Sequence, residues 1–175
     1  MKNIRHNAWL YIAIDIRNFR QCKIGVTTRQ NPHERILEGR TSNPFYLLFT
    51  AYNLAYLNVE KEELGRFERY VRGKIGYPVY RVASGNLSEW RDEDPRNAEL
   101  VIDHHIINSF THDGKILFDE DGMPCAEEFC KIKFPYRPDP FGLSEISNLN
   151  YDQCKEYIDF LMNYHNYPVD PIQLR

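Results

Sequence analysis

No apolar run in the 175 residues reaches the roughly 18 that a membrane-spanning helix needs. The opening stretch "MKNIRHNAWLYIAID" has too short an apolar segment for a secretory leader with a small-residue cleavage site. A soluble, cytoplasmic protein with no membrane partner is therefore expected. Cysteine is scarce: Cys22, Cys125, Cys130 and Cys154 follow no framework spacing, and in a reducing compartment they read most simply as free thiols. A calcium loop is excluded as well, because "DEDGMPCAEE" lacks the ligand alternation and terminal glutamate of an EF-hand. Strong net charge is missing too, since the chain carries only −3. Split along its length, however, the balance is lopsided: residues 1–82 carry +7 and residues 83–175 carry −10. A basic half of this kind can meet phosphates, and an acidic half can pack beside it, stay solvated, or serve another partner.

What the chain does have is aromatic bulk. Ten Phe, twelve Tyr and two Trp suffice for a real core in one domain, or in one domain with an appendage. "AWLYIAIDI" is β-branched and aromatic and predicts a strand, paired with "QCKIGVTT" through a loop of several residues at "RNFR". Asn31 as N-cap and Pro32 behind it predict a helix to about Leu37 that stops at Gly39, with Arg35 on its first turns. "NPFYLLFTAYNL" predicts a buried third strand. From Asn58, "NVEKEELGRFERYVRGKIG" predicts a capped helix ending at Gly73 or Gly76, with Leu64, Phe67, Val71 and Ile75 as its apolar stripe. Glu68 then falls at the stripe's margin, facing the sheet. With "YPVYRVASGNLSEW" as further extended chain, the order predicts an α+β fold: a small, mostly antiparallel central sheet flanked by helices, with a mixed C-terminal extension.

In that order the residues resemble the GIY-YIG nuclease superfamily. Trp9-Leu10-Tyr11, then Lys23-Ile24-Gly25, then Arg35 after Asn-Pro, then Glu68, then the Glu89-Trp90 pair look like its phage-type branch, whose second motif reads Lys-Ile-Gly. Trp9 stands where the family name places glycine, and Lys23 where it places tyrosine. Five pieces in order make a far more specific signal than any one of them.

The resemblance covers roughly residues 8 to 92 and implies a divalent-metal-dependent DNA endonuclease, hydrolysing phosphodiester bonds by nicking or double-strand cutting, in a phage or mobile element. It places a nuclease domain at residues 1–95, with an acidic region at 96–175 for specificity, a homodimer contact or a protein partner. Tyr11 would accept the attacking water's proton, with Lys23 supplying positive charge beside it. Arg35 would hold the non-bridging oxygens with its planar fork. Glu68 would carry one Mg²⁺ or Mn²⁺, completed by waters and the scissile phosphate. Thr27, Thr28, Arg29 and Arg40 would contact DNA.

Taken singly, each of these residues also has an ordinary use: Tyr11 in the core, Lys23 as an edge-strand charge, Arg35 in a surface cluster with Glu34 and Glu38, Glu68 in an i,i+4 pair with Arg72. The alternative function is a catalytically inactive nuclease-derived module that binds DNA or interferes with another nuclease, or an acidic DNA mimic. Further along, Asn97 predicts the N-cap of a helix with Leu100, Val101, Ile106 and Ile107 inward. "THDGKILFDEDGMP" predicts a hairpin, "FPYRPDPFG" a linker, and "LNYDQCKEYIDFLMNYHNYP" a last amphipathic helix. His104 or His105 with Cys125 and Cys130 is a loose zinc pattern, against buried thiols and surface histidines.

Overall fold

The computed structural model describes residues 7–15, 17–30, 32–39, 43–57, 59–111, 132–133 and 152. They form an α+β fold: a five-stranded antiparallel sheet with three helices, extended at one edge by a two-residue strand. The strands are β1 (Trp9–Asp15), β2 (Asn18–Thr27), β3 (Tyr46–Asn53), β4 (Tyr77–Tyr80), β5 (Leu87–Asp92) and β6 (Ile132–Lys133), in the order β4-β5-β2-β1-β3-β6. The helices are α1 (His33–Gly39), α2 (Lys61–Arg72) and α3 (Pro95–Thr111), with a single 3-10 turn at Leu54–Leu57. Among the described residues, no helix is long and apolar enough to cross a membrane.

Strand β1 lies between β2 and β3, which explains why its sequence is nearly all apolar: every residue from Trp9 to Ile14 is buried. The β1–β2 connection is tighter than the expected loop. Asp15 faces Asn18, and the Asp15 carboxylate accepts the backbone N–H of Arg17 at 2.9 Å while pairing with its guanidinium at 2.7 Å. An aspartate that folds the chain back on itself does the work that Asn-Gly does elsewhere.

Helix α2 opens at Lys61, later than Asn58, with Glu60 as an N-cap that makes no side-chain cap bond. The delay has a physical cause: Val59 is fully buried and its N–H donates to Leu54 O at 3.3 Å, which keeps the chain out of the helix. Val59 and Leu64 occupy the two positions of a hydrophobic staple, and both are buried. Beyond the helix, the buried Arg91 of β5 donates from Nε to Ile75 O at 2.7 Å and from Nη2 to Gly76 O at 2.9 Å, holding the turn into β4.

Helix α3 starts two residues before the expected cap. Asp94 precedes Pro95, its carboxylate accepts the Arg96 N–H at 2.8 Å, and its carbonyl accepts the Ala98 N–H at 3.0 Å. The register this sets buries Ala98, Ile102, Ile106 and Phe110, flanked by Val101 and Ile107, and turns Leu100 outward at 67% exposure. These residues belong to the same core as β1 and β2, so the boundary drawn at residue 95 cuts through one packed unit. Glu99 accepts from Thr50 Oγ1 at 3.2 Å, and Tyr52 Oη donates to Asp103 at 2.6 Å, tying α3 to β3. The hairpin, linker and last helix expected after residue 111 lie outside the described residues.

Candidate active site

Strand alternation assembles the site. Tyr11 lies opposite Gly25, Ala13 opposite Lys23, and Lys23 opposite Trp90, so Tyr11, Lys23 and Trp90 leave the sheet from one face. Gly25 is there for the tyrosine: a Cβ at that position would sit 2.5 Å from both Cζ and Oη of Tyr11. The last residue of Lys-Ile-Gly is therefore the floor on which the Tyr11 ring rests.

Arg35 reaches the same phenol from α1, whose first turn is closed by the Arg35 N–H donating to Pro32 O at 3.1 Å. Its guanidinium hydrogen-bonds Tyr11 and also Glu38, the latter at 2.6 Å. The Lys23 ammonium pairs with Glu89 at 2.9 Å, hydrogen-bonds the Tyr46 hydroxyl and lies 5.7 Å from the Tyr46 ring centre. Tyr46 is a participant that sequence reasoning passed over. Its ring packs over Gly39 and lies 6.2 Å from Trp90. The only sequence signal was its place after Asn-Pro-Phe at a strand entrance, where an aromatic is ordinary.

Charges in this cluster shape one another. Burial raises the Tyr11 phenol above its ordinary value, and Lys23 and Arg35 pull it back only in part. Burial pushes Tyr46 up to about 12, with Tyr11 adding to the rise. For Lys23, burial works downward, but Tyr46, Glu89 and Tyr11 together outweigh it and the ammonium titrates above its usual range.

Glu68 stands somewhat apart. It is buried on α2 and pairs with Arg72 through both oxygens, at 2.9 and 3.0 Å. Burial raises its carboxyl, Arg72 opposes that, and Glu89 adds to the rise. Glu89 is thus the common neighbour: it pairs with Lys23 and also acts on Tyr11, Tyr46 and Glu68.

The structure brings Tyr11, Lys23 and Arg35 into direct association, while Glu68 is held by Arg72 and feels the cluster only through the charge of Glu89. The residues expected to flank DNA are placed unevenly. Thr27 is buried with its hydroxyl accepting the Arg29 N–H at 3.2 Å, a turn role, while Thr28 is exposed. Arg29 is half-exposed and pairs with Glu34 at 3.7 Å and with Glu38. Arg40 lies outside the described residues, as do Cys125 and Cys130. The two histidines of the zinc pattern are on α3, where His105 stacks edge-on against Tyr70 and His104 Nε2 lies 2.8 Å from the Asn108 amide.

Among the described residues, no group of three or more His, Cys, Asp or Glu is disposed to enclose a metal ion. Two carboxylates, Glu68 and Glu89, are what the site offers. That donor set fits a hydrated Mg²⁺ or Mn²⁺, which keeps most of its waters and needs only one or two carboxylates beside a phosphate. No protein family, curated protein or solved structure matches this chain.

Proposed function

We propose that the chain is a divalent-metal-dependent DNA endonuclease of the GIY-YIG kind, with Tyr11, Lys23, Arg35 and Glu68 as its catalytic set. The observation that supports this best is a buried tyrosine laid across Gly25 with an arginine on its hydroxyl and a lysine in its field. A phenol needs such surroundings to act as a base. In its ionised form Tyr11 takes the proton of the attacking water. Lys23 stabilises the phenolate, and Arg35 turns its fork from Glu38 to the non-bridging oxygens of the phosphate. Glu68, with Glu89 beside it, is the residue to hold Mg²⁺ or Mn²⁺, which supplies charge to the departing 3′ oxygen. An enzyme of this kind in a phage or mobile element works in the host cytoplasm.

One observation favours a second reading, a DNA-binding module without catalysis. Lys23, Arg29, Arg35 and Arg72 all hold protein carboxylates, and burial keeps Tyr11 protonated at neutral pH. Supercoiled plasmid incubated with Mg²⁺ separates the two. Nicked or linear product that disappears with EDTA, and with Glu68→Gln, is the expected result. Binding of DNA without product points to the module, and cleavage by Glu68→Gln at the wild-type rate removes Glu68 from the metal site.

A further inference from the structure

Next to Trp90 lies an open cleft of about 370 Å³ between the start of β2 and the β4–β5 hairpin. Its lining combines amides, one arginine and one aromatic ring: Gln21, Asn43, Arg81 and Trp90 among them. Several of its polar atoms are already engaged. Asp15 is held by Arg17 and by the Asn43 amide, Asn43 Oδ1 accepts from Phe45 N–H, and Ser88 Oγ donates to Val79 O while accepting from Trp90 N–H. Three groups are left without a hydrogen bond to any described residue: the Gln21 amide, the Arg81 guanidinium and the indole N–H of Trp90. Tyr80 borders the cleft through its backbone: it lies opposite Leu87, and its ring leaves the sheet from the other face, near Arg91.

We propose that this cleft is a nucleobase site, which takes one unpaired base of a DNA strand whose phosphate lies at Lys23. The inference rests on the nuclease reading and names a substrate class for it.

Each part of the cleft fits that ligand and no simpler one. The flat aromatic surface of Trp90 suits a π-face. Gln21 offers a donor and an acceptor together, the pairing that a base edge presents. Arg81 adds a cation at the rim for a flanking phosphate. A metal ion finds only Asp15, which is already neutralised, and an apolar ligand would strand the free amide and indole N–H. The base must be unpaired, since a base stacked inside a duplex exposes only its edge and cannot lay a face on Trp90. Location supplies the phosphate end: Trp90 is the cross-strand partner of Lys23 and packs near Tyr46, so a base in the cleft has the cluster as its immediate neighbour.

The test uses the full chain in EDTA and two fluorescein-labelled duplexes of the same sequence, one fully paired and one with a single extrahelical adenine. Anisotropy titrations should show the second bound about ten-fold more tightly, the scale of one aromatic–base stack. Gln21→Leu and Trp90→Leu should each remove most of that preference, and Gln21→Leu should leave affinity for the paired duplex within about two-fold. Gln21 is only half-buried, so its variant tests the idea even if Trp90→Leu does not fold. Equal binding of the two duplexes by the wild type, or a preference that survives both substitutions, overturns the nucleobase site and leaves the nuclease reading standing. Binding of neither duplex overturns the nuclease reading, and the site with it.

Discussion

The two faces of the sheet use the same strands for different ends. On one, Leu10, Ile12, Ile24, Thr50 and Tyr52 share the face that α3 covers, and the two hydroxyls are answered by Glu99 and Asp103. On the other, Tyr11, Lys23, Tyr46 and Trp90 make a cluster whose charges are held by glutamates at its surface. Alternation along β1 and β2 keeps the two apart by one residue. Stability and chemistry should therefore respond to different substitutions.

The largest effect should come from uncovering the apolar face. A chain ending at residue 95 loses Ile102, Ile106 and Phe110, each worth about 1.5–3 kcal/mol of burial, against a total stability of roughly 5–15 kcal/mol. Circular dichroism should show no cooperative melt for it. A cooperative melt would mean that the sheet stands without α3 and that the two faces are independent.

Next is a break confined to the other face. Tyr11→Phe keeps the ring on Gly25 and should leave the melting temperature nearly unchanged while lowering cleavage by about two orders of magnitude or more. The pH profile carries the same information. A base acts when deprotonated, and Tyr11 titrates above its ordinary value of 10, so log rate should climb with a slope of about one from pH 7 toward 10. Tyr11→Phe should flatten that rise. The raised phenol also binds its proton more tightly in the folded chain, so its contribution to stability is complete below the unfolded value and fades as pH rises through the folded one.

How much of this was legible beforehand depends on the kind of signal. Strands β1, β2 and β3 and helix α1 could be read because each is marked locally, by β-branched and aromatic runs or by Asn-Pro and a stopping glycine. Tyr11, Lys23 and Arg35 were nameable as a set, but their meeting depends on register and helix docking, which no local pattern encodes. Tyr46 and the Lys23–Glu89 pair were missed for that reason: both arise from strands distant in sequence. At α3 the signal was present and misread: Asp94-Pro95 is a better helix opening than Asn97, and the inward stripe is Ala98, Ile102, Ile106 and Phe110, which at four-residue spacing leaves Leu100 at the surface.

Smaller effects sharpen the comparison. Tyr52→Phe removes a hydroxyl that donates to Asp103 on the apolar face and should lower stability by about 1–2 kcal/mol in denaturant unfolding, with cleavage unchanged. Any loss of rate beyond the loss of folded protein would couple the faces. The smallest change should be a gain. Gly65 lies within α2 with nothing within 4 Å of where a Cβ would stand, so Gly65→Ala should stabilise by about 0.5–1 kcal/mol, read as a rise in melting temperature of a few degrees.

Arg91 makes the sheet's outer hairpin a lever with a fixed fulcrum. The hairpin meets β2 at Cys22↔Arg91 and Lys23↔Trp90, and the same Arg91 grips the two carbonyls at the end of the α2 turn. Any swing of the hairpin tip pivots there, because moving the fulcrum itself would strip the buried Ile75 carbonyl and the Gly76 carbonyl of their donor. Amide exchange should accordingly slow from Val82 inward to Arg91 and its β2 partner.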